Sequence, residues 1–364
     1  MAMKTASSRL LFSTLLISLM ILMQGCATRN SVAYVSNADS RDISVLKLDH
    51  DKGTLQVTQT LAVGGVVMPM ALSPDKRMLY AALRSEPFTV ASFAIDGSTG
   101  NLKPIGTAPL PDSMAYVMTD RTGRWLFAAS YGGNKVSVSP IGADGVAGAA
   151  TSVVPTGKNA HAAVIDAANK NLFVTNLGSD QVLQFGFDAA TGKLTPNNPP
   201  ALGTRPGAGP RHLVFHPNGR HAYLLHELDA TVDVLAYDAQ RGTLSLLKTL
   251  PTLPAGFTGK PWAADLHLTP NGRFLYTSER NSHTLAMWSV DATSGDLKLI
   301  GHQATEKQPR GFQIDPSGTW LLAVGQLSHA MTAYRIDPAS GRLTQQASLP
   351  LGKNPNWVEI ISLP

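Results

Sequence analysis

The segment Gly209-Pro210-Arg211-His212-Leu213-Val214-Phe215-His216-Pro217-Asn218-Gly219-Arg220-His221-Ala222-Tyr223-Leu224-Leu225-His226-Glu227 reads as an apolar strand, a Pro-Asn-Gly turn and a second strand. Arg211 and His212 stand before the first strand and Glu227 stands just after the second. If the two strands pair as a hairpin, these ionisable groups collect at one end, which is where a site would form. The same hairpin pattern recurs along the chain with other residues at those positions.

The recurrence has a period. The apolar pair that starts each second strand gives seven markers, Tyr34, Tyr80, Phe127, Phe173, Tyr223, Tyr276 and Leu322, spaced by about 46 to 53 residues. A third strand follows each marker, at 44–48, 89–95, 135–140, 182–187, 232–237, 285–290 and 331–336. A turn with glycine comes next, at Gly53, Gly100, Gly145, Gly192, Gly242, Gly295 or Gly341, and then a short fourth strand. Seven units of four strands predict an all-β fold, a seven-bladed β-propeller. The first unit lacks an opening strand, while Pro355-Asn356-Trp357-Val358-Glu359-Ile360 is an opening strand with no unit behind it. The C-terminal strand is therefore expected to complete the first blade, closing the ring and removing the edges of an open array.

Composition agrees. Of 364 residues, 43% are hydrophobic and 15% charged, with 32 glycines and 24 prolines, and no long amphipathic helical pattern is present. That favours many short strands joined by turns. Each unit buries little alone, so residues 27–364 are expected to behave as one propeller domain, with the Pro- and Gly-containing stretch 250–260 as an insertion within it.

Residues 1–26 differ in kind. Lys4 and Arg9 precede an apolar run from Leu10 to Met23 that ends in Gln24-Gly25-Cys26, which reads as an export signal. The single cysteine at its end resembles the lipobox of a bacterial lipoprotein, which makes Cys26 the expected lipidation site; the competing reading is an uncleaved signal anchor. Ala27 is not the aspartate of an inner-membrane retention signal, so the expected location is the cell envelope, as a periplasmic lipoprotein on the outer membrane, touching the membrane only through its lipid. Without Lys4 and Arg9, the 30 basic side chains become 28 against 25 acidic ones, a net charge of +3. That charge, with no Lys/Arg run, excludes a nucleic-acid partner.

Superposing the units on their markers shows where they disagree. Four residues after the marker stand Arg84, Tyr131, Leu177, Glu227, Arg280 and Gln326; twelve before it stand Met68, Ala115, His161, Arg211, Ala264 and Arg310. Neighbouring positions add His212, Asp265 and His267. Positions that only pack should look alike from unit to unit, whereas positions that carry chemistry can differ. Both register positions fall on one rim of the hairpin, and opening strands line a propeller's axis, so a single mouth is expected to carry these groups. A funnel of Arg, His and Glu suits a small anionic or oxygen-rich ligand. Competing with this, Arg84 and Asp265 could serve as inter-blade ion pairs. His212, His216 and His221 have spacings that imitate metal ligands, but His216 reads as turn, His221 as solvated hairpin, and His226 as loop, so no metal is expected. Trp262 and Trp357 are expected as an apolar wall of the mouth.

The strings Gly209-Pro210-Arg211-His212-x-Val214-Phe215-His216-Pro217-Asn218, Trp262-Ala263-Ala264-Asp265-x-His267-x-Thr269-Pro270, Gln308-Pro309-Arg310-Gly311-Phe312 and Gly325-Gln326-x-Ser328-His329 resemble the seven-bladed propeller type of 6-phosphogluconolactonase. The chain departs at Ala160-His161-Ala162-Ala163-Val164, where members of this type have Cys-His-Ser-Ala-Asn, and in carrying an export signal. The resemblance implies a cofactor-independent carboxylic ester hydrolase acting on a sugar lactone. Such chemistry needs an activated water, an oxyanion donor and contacts to the sugar. Glu227 or His212 is expected as base, and Arg211 and Arg280 as the groups that polarise the carbonyl. His161, Arg310, Asp265, His267, Gln326, Arg84 and Tyr131 are expected to bind substrate. An unphosphorylated aldonolactonase, a carboxymuconate-type cyclase and a non-enzymatic envelope binding propeller remain as alternatives.

Overall fold

The structure is a computed structural model and describes residues 30–363. Among these residues the strands form seven four-stranded antiparallel sheets, arranged as a ring. Blade 5 shows the pattern: Pro210–Phe215, His221–His226, Thr231–Asp238 and Thr243–Pro251 lie side by side in chain order. Its second strand is buried throughout, covered on both faces by neighbouring blades, which is why it reads as a continuous apolar run. The outermost strand is largely exposed, with only Leu244 buried. The first turn needs a left-handed residue after Asn218, supplied by Gly219 at φ 67°.

The opening strands are Val67–Leu72, Met114–Thr119, Ala160–Ile165, Pro210–Phe215, Ala263–Leu268, Pro309–Ile314 and Pro355–Ser362, and each neighbours those of the two flanking blades around the axis. The ring closes as the sequence predicts. Pro355–Ser362 pairs antiparallel with Asn30–Asn37, Val32 opposite Ile361 and Tyr34 opposite Glu359. Asn356, buried, fastens this strand by donating from Nδ2 to the Ser36 carbonyl at 3.1 Å.

The core lies between blades. Ala33, Val35, Leu46 and Leu48 of blade 1, for instance, pack against Trp320, Leu322, Val324 and Met331 of blade 7. A repeated latch explains two features of the period at once. The marker tyrosines Tyr34, Tyr80, Tyr223 and Tyr276 donate their hydroxyls to the carbonyls of Gly100, Gly145, Gly295 and Gly341 in the next blade, at 2.8, 3.0, 2.8 and 2.8 Å. Each accepting glycine has φ between 70° and 79°, so the turn that offers the carbonyl needs glycine. Elsewhere an aromatic ring does the same job: Trp125 packs on Gly192 and Trp320 on Gly53.

His216 sits at the turn as expected, while His221 and His226 depart from their expected settings. His216 is buried at the turn and bonds the Gly272 carbonyl of blade 6 at 3.1 Å. His221 is buried against Gly295. His226 is not a loop residue: it ends the second strand, fully buried, with Nε2 2.8 Å from Asp233. His216 and His221 are covered by the next blade, which a local hairpin pattern does not register.

Candidate active site

Opening strands run from one face of the ring to the other and second strands run back. A repeated backbone bond brings the two register positions together: Arg84 N donates to the Val66 carbonyl, Glu227 N to Gly209, Arg280 N to Trp262 and Gln326 N to Gln308, at 2.7 to 3.1 Å. Arg211 and His212 lie inside the opening strand and not before it.

At this mouth the centre is Glu227. Its Oε2 accepts from Arg211 Nε and from Arg280 Nη2, both at 2.8 Å, and its Oε1 accepts from Trp262 Nε1 at 3.2 Å. Trp262 is thus more than an apolar wall. The Arg280 guanidinium also stacks on its ring, 3.8 Å from the centroid, a favourable cation–π arrangement. Both arginines are further tied to main-chain carbonyls, Arg280 to Trp262 and Ala263 at 3.1 and 3.0 Å, and Arg211 to Ala264. Each keeps one terminal nitrogen, Nη2 of Arg211 and Nη1 of Arg280, with no partner among the described residues. Burial raises the Glu227 pKa, but the charges of Arg211, Arg280 and Arg310 outweigh it and the net shift is downward, so the group is a carboxylate at neutral pH.

Arg310 is different. No carboxylate pairs with it among the described residues, while burial and the charges of Arg211 and Arg280 push its pKa well down. Arg84, which adds to that repulsion, donates to Ser113 Oγ at 2.9 Å and also has no acidic partner. Glu227 thus pairs with two guanidinium groups and feels the charge of a third, Arg310, while Glu279 adds negative charge near Arg280. His161 is buried, its Nδ1 unpartnered, its ring edge-on to His212 at 5.1 Å and to Tyr131 at 6.0 Å. Burial and the surrounding arginines keep it neutral. Gln326 is spent on Asn354, at 2.7 Å, and makes no contact with the cluster.

His212, Asp265 and His267 are not in the mouth. They form a layer beneath it, in the axial channel, where they line a cavity with Tyr116 and Glu359. His212 Nδ1 donates to Asp265 Oδ1 at 2.8 Å, which leaves Nε2 to accept from Arg211 Nη1 at 3.2 Å. With both ring nitrogens occupied, His212 cannot take a proton from substrate water; it fixes Arg211. Asp265 also meets His267 Nε2 at 3.2 Å. Burial opposes its charge, but the His267 charge and the His212 hydrogen bond prevail and hold its pKa far below the usual carboxylate range.

This layer makes stability pH-dependent. Burial, reinforced by Arg211, pushes the His212 pKa down from 6.5 to about 4. The unfolded chain then binds a proton at His212 below pH 6.5 that the folded chain refuses until about pH 4. Stability is expected to fall as pH drops through that window, by on the order of 3 kcal/mol, and Glu227 and Asp265, both with lowered pKa values, extend the loss at lower pH. Urea unfolding at pH 7, 5.5 and 4.5 reads this directly, and a flat midpoint across that range would contradict it.

Comparison with known proteins agrees with the architecture. A family model described as lactonase, 7-bladed beta-propeller, matches residues 25–360. A 6-phosphogluconolactonase of Serratia proteamaculans is 45% identical over 331 residues, 91% of this chain and 99% of that protein. One of Pectobacterium carotovorum is 43% identical, again over 91% of this chain and 99% of that protein. The structure of a Pseudomonas aeruginosa periplasmic gluconolactonase superposes with a TM-score of 0.86 at 28% identity, covering 92% of this chain and 100% of that one.

Proposed function

The chain belongs to the seven-bladed β-propeller lactonase family and is a sugar lactone hydrolase, and from that premise we propose that its substrate is an aldono-1,5-lactone carrying an anionic group, 6-phosphogluconolactone by likeness to its relatives. The observation that carries this is Arg310, a half-buried guanidinium with no carboxylate of its own, together with Arg84, which likewise has no acidic partner. Withdrawing a cation from water is costly unless something neutralises it. An incoming phosphate would do so, with charge-assisted bonds from Arg310 and Arg84.

In this reading the lactone carbonyl lies over Glu227. The free terminal nitrogens of Arg211 and Arg280 donate to the carbonyl oxygen as it gains charge. Glu227 Oε1, which has one donor in Trp262 Nε1, accepts a proton from the attacking water. The new C–O bond forms, the ring C–O bond breaks, and the ring oxygen takes the proton back from Glu227 and leaves as an alcohol, which restores the carboxylate. Neutral His161 and Tyr131 stand at the edge of the cluster, placed to hydrogen-bond the sugar. Following acid release with glucono-1,5-lactone and with its 6-phosphate tests the assignment. A higher kcat/KM for the phosphate supports it, and equal values overturn the anion requirement. A second reading, an exported enzyme for unphosphorylated lactones, is favoured by residues 1–26 and by the likeness to a periplasmic gluconolactonase; the same assay decides between them.

Residues 1–26 lie outside the described residues. We propose from their sequence that they are an export signal and that Cys26 carries lipid in the cell envelope, on the outer membrane. A Cys26→Ser chain is then expected in the soluble periplasmic fraction, with the unmodified sequence sedimenting with membranes; identical partitioning of both would contradict it.

A further inference from the structure

Beyond His212 the axial channel holds polar groups that the reaction does not use. Two adjoining lobes of about 230 and 180 Å³ share Tyr116, Met118, Arg121, Trp357 and Glu359. Gln313 and His267 line the larger lobe and Lys76 the smaller. A layer of rings separates this space from the mouth: His212 sits 5.1 Å from His161, 5.5 Å from Tyr116 and 5.9 Å from Trp357, centroid to centroid.

The hydrogen bonds made here use only half of the available atoms. Glu359 Oε1 accepts from Trp357 Nε1 at 3.0 Å, Gln313 Oε1 from the Ile314 amide at 2.9 Å, and His267 spends Nε2 on Asp265. Glu359 Oε2, Gln313 Nε2, His267 Nδ1, the Tyr116 hydroxyl and the Lys76 ammonium have no protein partner among the described residues. These atoms keep access to solvent, so a ligand entering the cavity can meet them directly. Water alone would use the polar atoms. It would not use the aromatic wall that Trp357 and Tyr116 form with rings 5.5 Å apart, and such a wall packs the C–H face of a polyol. Burial raises the Glu359 pKa, so its carboxyl can donate as well as accept. Lys76, whose charge reaches Glu359, and Arg121 put two cations at the entrance. Arg121 is held there by bonds to the Ile165 and Asp166 carbonyls at 3.0 and 3.1 Å.

Mixed donors and acceptors, an aromatic face and cations at the opening complement one class of ligand. We propose that this distal cavity is a second binding site, separate from the mouth, for a small polyhydroxylated carboxylate. The ligand class follows from the cavity lining and not from the reaction, so the site stands or falls apart from the proposed substrate.

Isothermal titration of the full-length protein with sodium gluconate tests it. A gluconate site is expected whose Kd rises tenfold or more in Gln313→Ala and in Lys76→Gln but does not move in Arg310→Met, which alters the mouth. Lactone turnover in the two distal variants is expected to match the unmodified protein. Mannitol, with hydroxyls but no carboxylate, is expected to bind the same site at least tenfold more weakly. Lys76 lies on an exposed turn, so its variant keeps the test valid should Gln313→Ala fail to fold. No gluconate binding, or binding lost in Arg310→Met and untouched by both distal changes, overturns the proposal.

Discussion

Glu227→Gln is expected to leave a folded protein that hydrolyses sugar lactones at least about 10²-fold more slowly in kcat, because general acid–base catalysis is worth roughly 10²–10⁴. Glutamine keeps an oxygen for Arg211 and Arg280 to meet, so the geometry of the mouth survives, but the amide cannot accept the proton of the attacking water. The same substitution removes the one carboxylate those arginines share. Breaking a buried pair costs about 3–5 kcal/mol when one charge is left alone; the retained amide oxygen brings the expected loss toward the lower end. Steady-state kinetics and urea unfolding measure the two effects separately. A variant that turns over at the original rate removes Glu227 as the base, whatever its stability.

Arg310→Met is expected to do the opposite to stability. Arg310 repels Arg211, Arg280 and Arg84 and has only the shared Glu227 to attract it, so an apolar side chain of similar length should leave the unfolding midpoint unchanged or raise it. Activity should suffer. Charge-assisted hydrogen bonds contribute about 1.5–3 kcal/mol, so kcat/KM for the 6-phosphate lactone is expected to fall by roughly 10- to 10²-fold, with a smaller loss for glucono-1,5-lactone. This is the signature of a residue kept for function against stability. A clear drop in unfolding midpoint, or equal losses on both substrates, would show that Arg310 is structural or that it does not meet the phosphate.

Much of this was legible in the sequence for a physical reason. The latch that joins blades needs an aromatic marker and a glycine with positive φ at fixed separation, so Tyr34, Tyr80, Tyr223 and Tyr276 and their glycines repeat. Register positions free of that demand are where the units differ, and they led to Arg211, Glu227, Arg280 and Arg310. The depth of a residue along the axis was not legible. His212, Asp265 and His267 are one to three residues past the rim position, and that small offset carries them from the mouth into the channel. Tyr116, Gln313 and Glu359 went unnoticed for the same reason, since they lie further along opening strands than the compared positions. Trp262 was legible as a mouth residue because it precedes the opening strand of blade 6 by one residue, but its hydrogen bond to Glu227 was not. Burial of His216 and His221 depends on Gly272 and Gly295 of the next blade, far away in sequence, and no local pattern records it.

The first described strand starts at Asn30, paired with Asp49 on the face opposite the mouth, and its other end, Asn37, reaches the mouth face beside Pro355. From Cys26 to Asn30 is four residue steps, a reach of at most about 14 Å even when fully extended. A lipid on Cys26 would therefore moor the ring by its back. The catalytic opening would look out into the aqueous compartment, and the rear vestibule rimmed by Lys76 and Arg121 would hang above the phospholipid headgroups.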